Sequence, residues 1–385
     1  MAAWAKSVGK KLGEMALNAG GGPINWFPGH MAAATRAIRQ RLKLADLVIE
    51  VRDARIPLSS ANEDLQQVIS CKRRVIALNK KDLANPNIMQ VLVTEVDTCF
   101  RFRLLLQRWI RHFDSCKQDC IPISAHSRSS VQKLLALVEL KLKEVISREP
   151  TLLVMVVGVP NSRMTSQTSL IVQEKIKRAT VGPLPGVTQD IAGYKIAHRP
   201  SIYVLDTPGV LVPSIPDIET GLKLALTGAV KDSVVGEERI AQYFLALLNT
   251  RSTPLHWRDF DNRRMEDSKC ESKHENSDKF KDSLPRRRKP LNESDVRYIE
   301  DMVAEVKQTL YLTFAEFNGD VADESNLEGL IEQQFTGLQK AFRIPQKAGD
   351  DARTMVSKKL LTLFRIGKLG PFILDNVPNG RNLMP

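Results

Sequence analysis

Apolar positions along the chain fall into two periods. Near-continuous apolar runs at 46–52 (DLVIEVR), 74–78 (RVIAL), 121–125 (IPISA) and 151–158 (TLLVMVVG) read as buried strands, because a strand covered on both faces need not alternate. The segments between them repeat every three to four residues. Ala34, Ile38 and Leu42 share one face of a helix whose other side carries Arg36, Arg39, Arg41 and Lys43. Residues 59–70 suit another helix. Residues 86–120, with Phe100, Leu104, Leu105, Trp109 and Ile110, read as helix with an irregular tail, and 129–147 is the clearest amphipathic helix. Residues 191–197 (IAGYKIA) and 201–206 (SIYVLD) pair as a hairpin around Arg199 and Pro200. Such alternation of strand and helix predicts an α/β domain.

The pattern then changes. Residues 215–249 are helical in period, but 251–293 are polar, mixed in sign and nearly free of aliphatics. A segment of that kind cannot bury enough surface to order itself, and reads as a disordered linker. Its Arg286-Arg287-Arg288-Lys289 run suits RNA, a nuclear signal or plain solvation. Three further helices follow at 294–317, 325–342 and 349–366, the last stopped by Gly367, making a small all-α region within 294–385. In the last helix Ala352, Val356, Leu360 and Leu363 face inward, while Arg353, Lys358, Lys359 and Arg365 stay outside.

Composition narrows the class. With 385 residues and 43% hydrophobic content the chain can bury two or three cores, and its formal charge of +12 with pI near 9.5 favours a polyanionic partner. Five irregularly spaced cysteines argue for reduced thiols rather than a disulfide framework. His112, Cys116 and Cys120 share helical spacing but lack a fourth metal ligand. No apolar run approaches the length of a membrane span. Residues 1–22 carry Lys6, Lys10 and Lys11, apolar Trp4, Val8, Leu12 and Met15 at helical spacing, and Glu14 as the only acid; they resemble a mitochondrial presequence, with an ordinary first helix as the alternative.

Candidate chemistry sits at the strand ends, where open α/β sheets gather ligands. Asp53-Ala54-Arg55 closes the first strand, and Asn79-Lys80-Lys81-Asp82 closes the second. The carboxylate of Asp82 can accept two hydrogen bonds from guanine N1 and N2, which adenine cannot supply; Asn79 can tie loops together, and the stem of Lys80 can cover the base. The backbone amides of Ser124 and Ala125 suit the guanine O6. Gly158, Pro160 and Asn161 open what reads as a phosphate loop, with Thr165 and Ser166 as hydroxyls after it. That loop is broken: GxxxxGK[ST] would need glycine at Arg163 and lysine at Met164. Thr188 offers a switch hydroxyl, and Asp206-Thr207-Pro208-Gly209 places a carboxylate toward a metal and a glycine amide toward a γ-phosphate.

Taken together, NKKD and ISA precede GVPN, the switch threonine and DTPG, whereas ordinary GTPases carry these blocks in the reverse order. With NWFPGHM in front and DAR on an early strand, the chain resembles the circularly permuted GTPases of ribosome assembly, in particular the plant mitochondrial DAR branch, over residues 24–250. The resemblance implies a Ras-like P-loop GTPase domain in circularly permuted order at 23–250 and a small all-α domain that contacts ribosomal RNA. It implies GTP or GDP held by Asn79, Lys80, Lys81, Asp82, Ser124 and Ala125, and Mg²⁺ met by Thr165 and Thr188 and oriented by Asp206 through water. It also implies K⁺ at Asn161, His30 as the group assisting attack, and Val210 where Ras-like enzymes carry a water-positioning glutamine. The implied partner is the large ribosomal subunit of the mitochondrion with its rRNA, met by a monomer in the matrix or on the matrix face of the inner membrane.

The departure at Arg163 and Met164 opens a second reading, an RNA- or ribosome-binding scaffold that keeps the fold with weak or no turnover. Two origins fit the break. One is a paralogue in which Arg163 substitutes as a cation; the other is a misassigned exon junction across 162–171, which the abrupt return of matching sequence at VQEKIKRATVGPLPGVT favours.

Overall fold

A computed structural model of the chain describes residues 27–84, 96–146, 151–161, 192–198, 201–212, 215, 217–260, 293–345, 349 and 351–378. It divides into two compact units, one of Met1–Ile240 with Arg365–Pro385 and one of Ala241–Phe364.

The first unit is an α/β layer structure. Its elements are α1 (Gly29–Leu42), β1 (Leu47–Asp53), α2 (Glu63–Ile69), β2 (Arg73–Asn79), α3 (Lys81–Ala84), α4 (Val96–Ser115), β3 (Asp119–Pro122), α5 (Arg128–Ile146), β4 (Thr151–Gly158), β5 (Ala192–His198), β6 (Ser201–Asp206), α6 (Ile218–Leu226) and α7 (Asp232–Val235). One sheet has the order β3-β2-β1-β4-β6-β5, with only β5 antiparallel to its neighbour. The hairpin expected from IAGYKIA and SIYVLD is β5 against β6, although Arg199 and Pro200 lie outside the described residues.

Burial explains why β1 is central. All seven of its residues are buried, and its side chains leave in both directions. Leu47, Ile49 and Val51 pack with Val131, Leu134, Val138 and Leu142 of α5. Val48 packs on the other side with Ala34, Ile38 and Leu42 of α1 and with Leu65 and Ile69 of α2. Helices on both faces remove the need for alternation, so the strand reads as one apolar run. Its two interior charges are neutralised locally: Arg52 Nε meets Glu50 Oε1 at 2.8 Å, and Arg74 Nη1 meets Glu50 Oε2 at 3.2 Å.

Several element ends shift from the sequence expectation for local reasons. The helix expected from residue 59 begins at Glu63, because the Asn62 side chain accepts from Leu65 N at 3.2 Å and caps it there. The strand expected at 121–125 spans Asp119–Pro122, after which Ile123 N still reaches Leu78 O at 2.8 Å. The helix within 86–120 occupies Val96–Ser115.

The second unit is helical. It contains the later part of α8 (Glu237–Thr250), a 3-10 helix (Thr253–Phe260), α9 (Glu293–Ala315), α10 (Glu324–Ala341) and most of α11 (Asp351–Arg365), and the last three follow the sequence periodicity closely. Phe244 and Phe364 pack with their rings tilted by 55° and centroids 4.7 Å apart, and the fully buried Asn249 and Gln334 exchange two side-chain hydrogen bonds of 2.9 and 2.8 Å. Buried amides satisfied in this reciprocal way fix one packing of their helices.

Gly367, with φ of +77°, turns the chain after α11. The tail then lies on the first unit: Phe372 N donates to Leu83 O at 3.1 Å, Leu374 N donates to Arg55 O at 2.7 Å, and Ile373 packs beside Ile76, Leu78 and Trp109. No helix of the described residues is long and apolar enough to cross a membrane.

Candidate functional site

The site grows from the carboxyl ends of the parallel strands. Asp53 ends β1 beside Asn79 at the end of β2, and Val51 lies opposite Gly158 at the end of β4. Asp206 ends β6 opposite Val156. The parallel sheet therefore brings DAR, NKKD, GVPN and DTPG to one edge, and the short β3 adds Ser124 and Ala125 beside β2.

Each loop is held by bonds its sequence supplies. The Asn79 side-chain oxygen accepts from Ala125 N at 2.9 Å, while Asn79 O accepts from Ala54 N at 2.8 Å. Lys81 N reaches Ile123 O at 3.0 Å. These bonds lock the NKKD loop against the Ser-Ala turn and leave Asp82 exposed on the first turn of α3. Lys80, at φ of 61°, takes the left-handed conformation that redirects the chain there.

Lys80 is anchored by charge. Its Nζ lies 3.1 Å from Asp53 Oδ2, and the same carboxylate takes Arg55 Nη2 at 2.8 Å and Arg55 Nε at 3.0 Å. Burial alone would raise the Asp53 carboxyl; the charges of Arg55 and Lys80, with hydrogen bonds from Arg55, outweigh it and hold the group well below the usual carboxylate range. Burial also lowers the Lys80 ammonium below its ordinary value, with Asp53 pulling the other way and Arg55 pushing it further down.

On the phosphate side, Val210 N donates to Gly158 O at 3.1 Å and Thr207 Oγ1 to Val156 O at 2.8 Å, so the DTPG turn is stitched to β4. Asn161, at φ of 56°, donates from Nδ2 to Thr227 O at 3.3 Å. Asp206 is 3% exposed. Val210 is fully buried and its carbonyl accepts from Asn62 Nδ2 at 2.9 Å, so this residue packs inward and has no polar group to orient a water.

The structure thus brings together Asn79, Lys80, Lys81, Asp82, Ser124, Ala125, Gly158, Pro160, Asn161, Asp206 and Gly209. His30 lies in the first turn of α1, its side chain outside the description. Thr165, Ser166 and Thr188, with Arg163 and Met164, lie outside the described residues, as do residues 1–22 and Arg286–Lys289. A buried carboxylate in the strand position beside the phosphate loop suits the outer coordination of Mg²⁺, a hard cation that prefers oxygen ligands. Among the described residues no cluster of three or more His, Cys, Asp or Glu side chains forms, and burial pushes the Cys120 thiol up to about 12. Sequence reasoning placed Asp53 and Arg55 at a ligand-gathering strand end but gave no sign of their contacts with Lys80 and Thr227. The one available signal was a charged triplet at a strand end.

Residues 153–279 match the family described as 50S ribosome-binding GTPase. The chain is 64% identical over 383 residues to "Short integuments 2, mitochondrial" of Arabidopsis thaliana, covering 97% of this chain and 95% of that protein. It is 32% identical over 385 residues to "DAR GTPase 2, mitochondrial" of the same plant, covering 96% and 95%. It is 37% identical over 228 residues to "Mitochondrial ribosome-associated GTPase 1" of Mus musculus, covering 58% and 66%.

Proposed function

Because the chain belongs to the circularly permuted ribosome-assembly GTPases, in the plant mitochondrial DAR branch, we propose that it binds GTP and GDP at this strand edge and hydrolyses GTP during assembly of the mitochondrial large ribosomal subunit. The bond from Ala125 N to Asn79 Oδ1, 2.9 Å long, carries this reading. It ties the NKKD loop to the Ser124–Ala125 turn, 46 positions apart in sequence, and so supports reading Asp82 and that turn as parts of one site.

The family resemblance suggests the roles. Asp82 accepts from guanine N1 and N2, the Ser124–Ala125 turn faces O6, and the stem of Lys80 covers the ring. Gly158, Pro160 and Asn161 approach the phosphates, together with the hydroxyls of Thr165 and Ser166. Mg²⁺, which neutralises phosphate charge when bound, would be held by Thr165 and Thr188 with Asp206 acting through water. GTP would engage the switch hydroxyl of Thr188 and favour docking on the ribosome, and hydrolysis would release it. With Val210 buried and apolar, attack depends on another group. His30 would fill that part, and Asn161 would hold a K⁺ that neutralises phosphate charge. A basic net charge of +12 favours rRNA as the surface met. The protein works as a monomer in the mitochondrial matrix or on the matrix face of the inner membrane, with residues 1–22 as presequence.

The Arg163–Met164 pair favours a second reading, a ribosome-bound scaffold with weak nucleotide binding and little turnover. Asp82→Asn separates binding from its absence. Asparagine presents a donor where xanthine carries O2, so this variant should exchange a preference for GTP for one for XTP in competition binding; unchanged preference removes the guanine pocket. K⁺-dependent phosphate release then supports the enzyme, and GTP-indifferent RNA binding supports the scaffold.

A further inference from the structure

Asp53 and Arg55 form a buried pair that touches both halves of the nucleotide site. Their side chains are 3% and 2% exposed. The pair is closed on itself by three bonds to the Asp53 carboxylate, from Arg55 N, Nε and Nη2, at 3.0, 3.0 and 2.8 Å. Asp53 N donates to Ser60 Oγ at 3.1 Å, which pins the strand end.

The pair also reaches outward in two directions. On the base side, Asp53 Oδ2 holds Lys80 Nζ at 3.1 Å, and Lys80 is the left-handed residue two positions before Asp82. On the phosphate side, Arg55 Nη2 lies 3.4 Å from Thr227 O, the same carbonyl that takes Asn161 Nδ2 at 3.3 Å. A Cβ added at Gly228 would stand 2.8 Å from Asn161 Nδ2, so the chain after Thr227 lies close against that side chain.

Stability alone does not account for this arrangement. A buried ion pair repays its own desolvation poorly, and well-packed apolar residues of similar volume often serve as well. What apolar residues cannot do is hold an ammonium and share a carbonyl at defined places. We propose that Asp53 and Arg55 are positioning residues of the nucleotide site: Asp53 fixes Lys80 and, through the turn it occupies, the orientation of Asp82, while Arg55 fixes the Thr227 carbonyl against which Asn161 is set. This rests on the guanine-pocket reading above. The DAR triplet is then the beam between the two loops, placed there because β1 lies between β2 and β4.

A double-mutant cycle on the full chain tests it, reading GDP affinity by fluorescence of a labelled nucleotide and, separately, thermal unfolding without nucleotide. Asp53→Asn should weaken GDP about tenfold, the size of one charge-assisted contact. Lys80→Met, which keeps the stem over the base and removes only the ammonium, should cost a similar factor alone and add nothing on top of Asp53→Asn, because the two changes break one interaction. Asp53→Glu keeps the charge but displaces the carboxylate, so it should fold and lose part of the affinity with the same non-additivity. Losses that multiply, or an Asp53 variant that melts earlier yet binds GDP as the parent does, overturn the proposal. If Asp82→Asn exchanges guanine for xanthine while the cycle is additive, only the positioning role falls. If Asp82→Asn changes no preference, the pocket falls and this role with it.

Discussion

Gly209 and Pro160 approach so closely that a Cβ on Gly209 would stand 2.7 Å from Pro160 Cα and 2.8 Å from Pro160 N. Both contacts are to backbone at the ends of neighbouring strands, so neither side can yield cheaply. The glycine of DTPG and the proline of GVPN therefore set the spacing of the phosphate edge. Gly209→Ala should force β4 and β6 apart at that end, costing about 1–3 kcal/mol as overpacking does. Nucleotide affinity should fall with the thermal midpoint; an unchanged midpoint would show that the turn has room.

Asp375 is the tail's anchor on the first unit. It accepts from Leu58 N and Ser59 N, both at 2.8 Å, and from Ser59 Oγ at 2.7 Å, and lies 3.2 Å from Lys223 Nζ. Its side chain is 3% exposed. Asp375→Ala strands two amides and removes one of two carboxylates beside Lys223, which should cost about 3–5 kcal/mol. Asp375→Asn keeps acceptor oxygen and should cost less. Urea unfolding of the two variants gives the ranking, and equal midpoints would refute it.

What was legible in the sequence follows from how far apart the interacting residues lie. NKKD, ISA, GVPN and DTPG are local, and each announces its chemistry because the turn and the functional group belong to the same few residues. Their position after apolar strands was enough to place them at the carboxyl ends of one sheet. Long-range pairing left no such mark. Arg55 and Thr227 are 172 positions apart, and Asp375 and Ser59 are 316 apart; periodicity carries nothing about either. The tail looked like the end of the helical region because the only signal there, Gly367, says where a helix stops and not where the chain goes next. The helix start at Glu63 was readable in the Asn62 cap, but the apolar period ran on before it and concealed the boundary.

Asp53 should leave an acid signature. Its carboxyl lies below the usual range in the folded protein because of Arg55 and Lys80, working against burial. The unfolded chain, with a carboxyl near 3.9, takes up the proton first as pH falls. The stabilisation from this group is therefore fully present above about pH 4 and drains away below it. Measured by urea midpoint, the gap between the parent and Asp53→Asn should narrow below that pH. Other carboxylates titrate alike in both proteins and cancel; a gap that stays constant down to pH 3 would contradict the sign.

Arg163 and Met164 set the last expectation. A lysine at 164 supplies a charge-assisted contact to the β- and γ-phosphates worth roughly 1.5–3 kcal/mol, and a glycine at 163 spares a side chain the roughly 1–2 kcal/mol of a left-handed backbone. Arg163→Gly with Met164→Lys should therefore tighten GTP at least about tenfold, and turnover should gain more, because the charge met by that lysine grows as the phosphoryl group transfers. The gain should appear in GTP titration and be smaller for guanosine, which has no phosphate to meet. An absence of gain in affinity would overturn this account of the loop. Sequencing the transcript across the codons for 158–181 tests the origin of the pair independently: a Gly-Lys in the message would make the repaired chain the native one.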